Sequence, residues 1–341
     1  MKNKVITIGG QTVPPGSRRV IDLPVADLYT HTSLNMPVQV INGRTAGPTL
    51  FVCAAVHGDE INGVEIIRRL LKFKALSRIR GALIAVPIVN VHGFLDQSRY
   101  LPDRRDLNRS FPGSERGSVA ARLAHLLVTE IIDQIDCGVD LHTGAIHRCN
   151  LPQIRANLGD PKTSELARLF GVPVLIDSTA RDGSLRQYAA EQGVPMLVYE
   201  AGEALRFDDL AIRAGTRGLM NLMRELRMLP GKKGTAAAFE PIVARQSSWA
   251  RAPVSGVVRS RLGLGHTVNK GDQLAIVSDP FGEVETPLIA RFDGVVIGRS
   301  NLPLALEGDA LFNIARFDDV EDAGDTVEDF RIAHGQPSFE I

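Results

Sequence analysis

The sequence predicts an α/β protein that carries a second, all-β unit at its C-terminal end. Three observations lead there. Apolar runs such as "TLFVCAAV" and "ALIAVPIVN" are uninterrupted, the mark of strands buried on both faces. Amphipathic helical stretches alternate with such runs from about residue 49 onward, the grammar of a sheet covered by helices on both sides. From residue 240 to 317 the helical period disappears, and Val, Gly and Pro dominate. A chain of 341 residues is long enough for two such units.

Residues 1–48 read as short strands and turns, because "QTVPPGSRRVIDLPV" and "INGRTAGPT" carry Pro and Gly punctuation. "TLFVCAAV" is the first buried strand. In "INGVEIIRRLLKF", Ile61, Val64, Ile67 and Leu71 recur at helical spacing with Arg68 and Arg69 between them. "ALIAVPIVN" is a second strand. "GSVAARLAHLLVTEIIDQI" predicts a long helix capped by Ser118. "CGVDL" is a third strand, and "TSELARLFG" a helix ended by Gly171. "VPVLID" is strand-like, "SLRQYAAEQG" is a helix stopped at Gly193, and "VPMLVYE" is a further strand. "LAIRAGTRGLMNLMRELRML" closes the region as a helix.

"PGKKG" at 230–234 reads as a boundary, giving an α/β unit over 1–234 and a β unit over 235–317. Inside the latter, "APVSGVV" and "ARFDGVV" form a near-repeat. Each is followed by a Gly-Asp turn, in "NKGDQLAIV" and "LEGDALFNIA". Two similar halves of this kind predict a small barrel or sandwich. Residues 318–341 form an acidic tail. Asp318 to Asp329 hold seven carboxylates and no Lys or Arg, so a solvated extension is expected.

Composition removes several function classes. Lys plus Arg equals Asp plus Glu at 39 each, which gives no electrostatic case for nucleic acid or an anionic membrane surface. No apolar run approaches the ~20 residues of a membrane span. "MKNKVITIGG" lacks the apolar centre of a signal peptide. Cys53, Cys137 and Cys149 are an odd set without CxxC spacing, so no disulfide framework is expected and a cytoplasmic setting is.

The chemistry-bearing residues gather at strand ends. "FVCAAVHGDE" ends in His57 and Glu60, a pair that alone reads more readily as a polar turn. "DLHTG" places His142 at the end of another strand, and "VYEAGE" places Glu200 at the end of a third. Ligand sites of open α/β sheets lie beyond such carboxyl ends. Two imidazoles and one carboxylate are the usual protein ligands of a catalytic zinc, so His57, Glu60 and His142 predict one Zn2+ per chain. Asp140 either orients an imidazole or sits in a strand-end turn. Glu203, three residues after Glu200, competes with it for a role, and either also suits a helix N-terminus. His147 is a lesser candidate for lining the pocket. The loop "SRYLPDRRDLNRSFPG" holds Arg99, Arg104, Arg105, Asn108 and Arg109. It is a surface charge cluster or a carboxylate clamp, and its place after a strand favours the clamp for Arg109 and Asn108. Arg104 and Arg105 are left to solvent.

HGDE, DLNRSFPG, DLHTG and YEAGE, in that order over roughly residues 45–230, resemble the succinylglutamate desuccinylase/aspartoacylase family. These are zinc amidohydrolases related to the metallocarboxypeptidases. The resemblance implies a zinc carboxypeptidase-like mixed sheet flanked by helices, with a C-terminal domain of biotinyl/lipoyl type. It implies His57, Glu60 and His142 as zinc ligands and Glu200 as general base. Asn108 and Arg109 would hold the substrate carboxylate, and Arg99 would polarise the scissile carbonyl. The implied activity is cleavage of the amide bond of a small N-acyl amino acid by metal-activated water. A metallocarboxypeptidase acting on a peptide C-terminus would use the same site, but DLNRSFPG and the β unit favour the deacylase. A carrier module needs an exposed Lys at a hairpin tip. "DPFGEVETPLIARFDG" has none, and Lys270 belongs to another turn. The β unit is therefore expected to shape the site entrance or a homo-oligomer interface.

Overall fold

Three neighbouring strands, apolar on both faces, form the centre of the main sheet. Thr45–Ala54 lies between Arg80–Val86 and Cys137–Gly144 and runs parallel to both. Met196–Glu203 continues the parallel order beyond Cys137–Gly144. Alternate side chains enter two cores. Leu50, Val52, Ala54 and Leu141 pack under the helices Asn62–Leu70, Pro161–Phe170 and Asp209–Glu225. Phe51, Cys53, Ile84 and Val86 pack under Val119–Glu130 and Leu185–Glu191. Burial on both sides is why these strands read as continuous apolar runs. The expected stops are present: Ser118 Oγ accepts from Ala121 N, and Gly171 closes its helix with φ +87°. The computed structural model describes residues 1–229, 239–244 and 246–335, so the boundary segment 230–234 lies outside the described residues.

At one edge, Ser33–Asn42 and Ser17–Asp27 add antiparallel strands of 10 and 11 residues. They are longer than the short strands expected of this region. Pro24 is tolerated because it lies in the outermost strand, beside a register shift. Pro37 lies beyond the stretch Gln39–Asn42 that pairs with Arg80–Val86.

Beyond Met196–Glu203 lies a strand that the pattern of the sequence does not announce. Arg148–Ala156 pairs antiparallel with Met196–Glu203. Glu200 faces Gln153, but Gly202 faces Asn150, so Leu151 and Pro152 share a bulge with one extra residue. The first half of this strand pairs with Gly294–Ser300 and the second half with Val174–Asp177. Through the first pairing, Ala310–Arg316 and Gln246–Arg251 continue the same thirteen-stranded sheet. Gly256–Arg259, Gln273–Ser278, Glu285–Ile289 and Leu304–Ala305 form a separate four-stranded sheet.

The near-repeat is visible in equivalent hydrogen bonds. Ala252 N donates to Asp309 O at 2.9 Å, and Ala290 N to Asp272 O at 2.8 Å. Leu306 N donates to Asp309 Oδ2, and Asn269 N to Asp272 Oδ2. Each half thus starts against the Gly-Asp turn of the other half.

The acidic tail is a docked helix, Val320–Gly335, and the expectation of a solvated extension is corrected. Asp319 Oδ1 accepts from the N–H groups of Glu321 and Asp322, and carboxylates in a first turn suit the helix dipole. Ala323, Val327 and Phe330 recur on one face and are buried, so the charge occupies only the outer face. The Phe330 ring meets Phe239 edge-on at 5.8 Å, and Arg217 donates to Ala333 O. No described helix is long and apolar enough to cross a membrane. Phe330→Ala should lower stability by about 3 kcal/mol in urea denaturation, the cost of a large buried truncation; unchanged stability would show the helix undocked.

Candidate active site

His57 leaves the end of Thr45–Ala54 in a turn closed by Glu60 N donating to His57 O at 3.1 Å. Gly58 makes that turn possible. A Cβ there would stand 2.0 Å from Gly93 C and 2.2 Å from Phe94 N, so the turn seats directly on the backbone of Val91–Leu95. The turn returns Glu60 toward His57, and the parallel strand Cys137–Gly144 brings His142 to the same place.

The three side chains converge. His57 Nδ1 is 2.8 Å from Glu60 Oε1, His142 Nδ1 is 2.7 Å from Glu60 Oε2, and the two Nδ1 atoms are 3.2 Å apart. All three residues are buried, and their donor atoms lie within 4.8 Å of one another. The far nitrogen of each imidazole also meets a carboxylate: His57 Nε2 is 3.1 Å from Asp106 Oδ1, and His142 Nε2 is 2.7 Å from Asp140 Oδ2. Asp140 thus stands where an orienting partner is expected. Arg99 bridges Glu60 Oε1 at 3.2 Å and Asp106 Oδ2 at 3.0 Å.

The electrostatics follow from this packing. Burial alone would lower both imidazole pKa values, but Glu60 and Asp106 raise that of His57, and Asp140 and Glu60 raise that of His142. Burial would raise the pKa of Glu60, yet the two imidazoles hold it far below the carboxylate range. Asp106 is held down against burial by His57 and Arg99. Burial, then the Glu60 charge, pushes Asp59 up.

This donor set fits a divalent cation. With neutral imidazoles, the carboxylates of Glu60, Asp106 and Asp140 exceed the Arg99 charge by two. Two Nδ1 atoms at 3.2 Å oppose either two lone pairs or two protons, unless one proton is shared or a cation lies between them. Nε2–H bonds to Asp106 and Asp140 would fix the tautomer that leaves each Nδ1 lone pair toward Glu60.

A cavity of about 490 Å³ opens beside the cluster, lined by His57, Glu60, His142, Arg99, Asn108, Arg109 and Glu200. The three expected metal ligands, Glu200, Arg99 and the Asn108–Arg109 pair therefore line one space. Glu200 stands beside His142 in the parallel register. Asn108 is tied down by its Oδ1, which accepts from Leu185 N at 3.0 Å. Arg109 donates to the Asn108 carbonyl; burial lowers its pKa, assisted by Arg181 and Arg99. Glu203 turns away and accepts from His147 N and Asn301 Nδ2. His147 and the exposed Arg104 and Arg105 are not among the lining residues.

Sequence reasoning missed several lining or supporting residues. Asp106 begins the quoted DLNRSFPG, so its signal was in hand. Arg148, Asn150 and Arg155 ride on the unannounced strand. Ser247, Trp249 and Asn313 come from the C-terminal strands and are brought in only by long-range pairing. Arg148 sits over the Trp249 ring at 5.3 Å. Arg109, Arg148, Arg181 and Arg186 line the cavity; Asp106 attracts Arg109, and Glu200 and Asp177 attract Arg186.

The model of the succinylglutamate desuccinylase/aspartoacylase catalytic domain matches residues 46–226. An N-alpha-acetyl-L-2,4-diaminobutyric acid deacetylase of Halomonas elongata is 26% identical over 310 residues, covering 86% of this chain and 90% of that protein. A succinylglutamate desuccinylase/aspartoacylase from Rhodobacter sphaeroides superposes with TM-score 0.78 at 25% identity, over 88% of this chain and 96% of that one. The product-bound ectoine utilization protein EutE (DoeB) from Ruegeria pomeroyi gives TM-score 0.79 at 25% identity, over 87% and 95%.

Asp106→Asn and Asp140→Asn should each weaken the binding of a divalent cation to this donor set about 10- to 100-fold in competition with a chromophoric chelator, with circular dichroism unchanged. Wild-type affinity in both variants would remove them from the site.

Proposed function

We propose that this chain, which belongs to the succinylglutamate desuccinylase/aspartoacylase family, is a hydrolase that cleaves the amide bond of N-acyl amino acids with the help of one zinc ion. The observation that carries the reading is the convergence of two imidazole Nδ1 atoms and the Glu60 carboxylate at a cavity that also holds Glu200 and the Asn108–Arg109 pair.

His57, Glu60 and His142 hold the zinc, which supplies Lewis acidity to the site. Arg109 binds the free carboxylate of the amino acid through paired N–H donors, with Asn108 beside it. Glu200 takes the proton of the attacking water and returns it to the departing amine. Arg99, anchored by Glu60 and Asp106, directs positive charge at the oxygen on which negative charge develops. The products are a carboxylate and a free amino acid. The cavity has the volume of a small-molecule site, and Ser247, Trp249 and Asn313 bound one side of it, which favours a small acyl amino acid over a peptide C-terminus. Arg109, Arg148, Arg181 and Arg186 together give the cavity wall positive charge, which favours substrates that carry a further carboxylate.

His57→Ala and His142→Ala should lose zinc on desalting, read by metal analysis; full occupancy in both would sink the metal assignment. Glu200→Gln should keep zinc and lose at least ~10²-fold in turnover. Amine release from a panel of N-acetyl and N-succinyl amino acids should be faster for aspartate and glutamate derivatives than for leucine and lysine ones. Faster cleavage of N-blocked dipeptides would instead establish a carboxypeptidase.

A further inference from the structure

We propose that Asn150 is a positioning residue for Glu200, and that Gly298 of the C-terminal strands fixes where Asn150 stands. The inference rests on the reading of Glu200 as the general base. Among the described residues, Glu200 has one hydrogen-bond donor, the Asn150 Nδ2 amide at 2.9 Å from Oε2. Arg155 Nε lies 3.7 Å from Oε1, within ion-pair range but beyond a hydrogen bond. A base works only when one oxygen is presented to the water in a fixed direction. With Oε2 held by Asn150, Oε1 is the oxygen that takes the proton.

Local backbone puts Asn150 there. In a regular strand Asn150 and Gln153 would face opposite sides of the sheet, since side chains alternate. The extra residue at Leu151–Pro152 reverses that phase. Leu151 is buried in an apolar cluster with Val295 and Ile297, and Asn150 turns to the Glu200 side. Pro152 suits this place, because a bulge spares its missing N–H.

The C-terminal strands complete the seat. Gly298 pairs with Asn150 on one side and with Asn313 on the other. A Cβ at Gly298 would lie 3.0 Å from Asn150 Oδ1 and 3.2 Å from Asn313 Cβ. The Asn150 carbonyl oxygen therefore lies against bare backbone, and its NH2 faces the carboxylate. A carboxylate accepts only, so this is the amide orientation that the chemistry requires. Asn150 is 9% exposed and has little room to swing.

The test is steady-state kinetics on zinc-loaded full-length variants with the best N-acyl amino acid of the panel. Asn150→Ala should lower kcat about ten- to hundred-fold, the scale of a misplaced catalytic group, with KM changed by less than about twofold and zinc content retained. Asn150→Asp keeps the shape but sets a second carboxylate against Oε2, and should lose more kcat than Asn150→Ala. A packing role would rank the two the other way. Gly298→Ala, which crowds the Asn150 oxygen, should lower kcat in the same direction by a smaller factor. The inference is overturned if Asn150→Asp outperforms Asn150→Ala, or if the Asn150→Ala loss appears in KM alone. Undiminished turnover in Glu200→Gln overturns the base assignment itself. A loss there with normal kcat in both Asn150 variants overturns only the positioning role.

Discussion

Buried negative charge governs the carboxyl edge of this sheet. Glu60 and Asp140 are almost wholly withdrawn from water, and Asp106 stands partly so. Carboxylates at this depth stay ionised only if opposite charge or donated hydrogen bonds reach them. The Arg99 guanidinium reaches Glu60 and Asp106, the Nε2 atoms of His57 and His142 face Asp106 and Asp140, and both Nδ1 atoms face Glu60, where a divalent cation would supply the missing positive charge. The surrounding structure exists in the form it does because those contacts need it. The Gly58 turn returns Glu60 to His57, the parallel register sets Glu200 next to His142, and the Asp106 loop closes over the far side of the His57 ring.

The strand ends were legible because each polar motif follows an apolar run. HGDE, DLHTG and YEAGE all read as the point where a buried strand reaches the edge, and the structure gathers His57, His142 and Glu200 around one cavity. The Arg148–Ala156 strand was not legible. "RCNLPQIRA" has charged and polar residues and an internal Pro, the composition of a loop, and only its bulge reconciles them with a ladder. Asn150 and Arg155 were lost with it. The C-terminal helix was hidden differently. Its seven neighbouring carboxylates dominate the local composition, while Ala323, Val327 and Phe330 mark a narrow apolar stripe. Trp249 and Asn313 carry no local signal, since their place depends on long-range pairings, Trp249 with Asn313 and Gly298 with Asn150.

The two halves of the near-repeat share their turn chemistry but not their surroundings. Gly256–Arg259 and Gln273–Ser278 belong to the smaller sheet. Gly294–Ser300 and Ala310–Arg316 have joined the larger one, through Gly298 opposite Asn150. The halves interleave, since Thr267–Val268 pairs with Gly294–Ser300 in the larger sheet and Leu304–Ala305 with Gly256–Arg259 in the smaller one, and Asn313 of the second half reaches the cavity wall.

That shared edge limits how the chain can be cut. The beginning of Arg148–Ala156 is covered by a C-terminal strand, so a fragment ending before residue 246 would bare a row of unpaired backbone donors and acceptors. Open edges of this kind template intermolecular pairing. The C-terminal strands thus act as a built-in guard against aggregation, which makes the region an unsuitable cassette for removal or exchange.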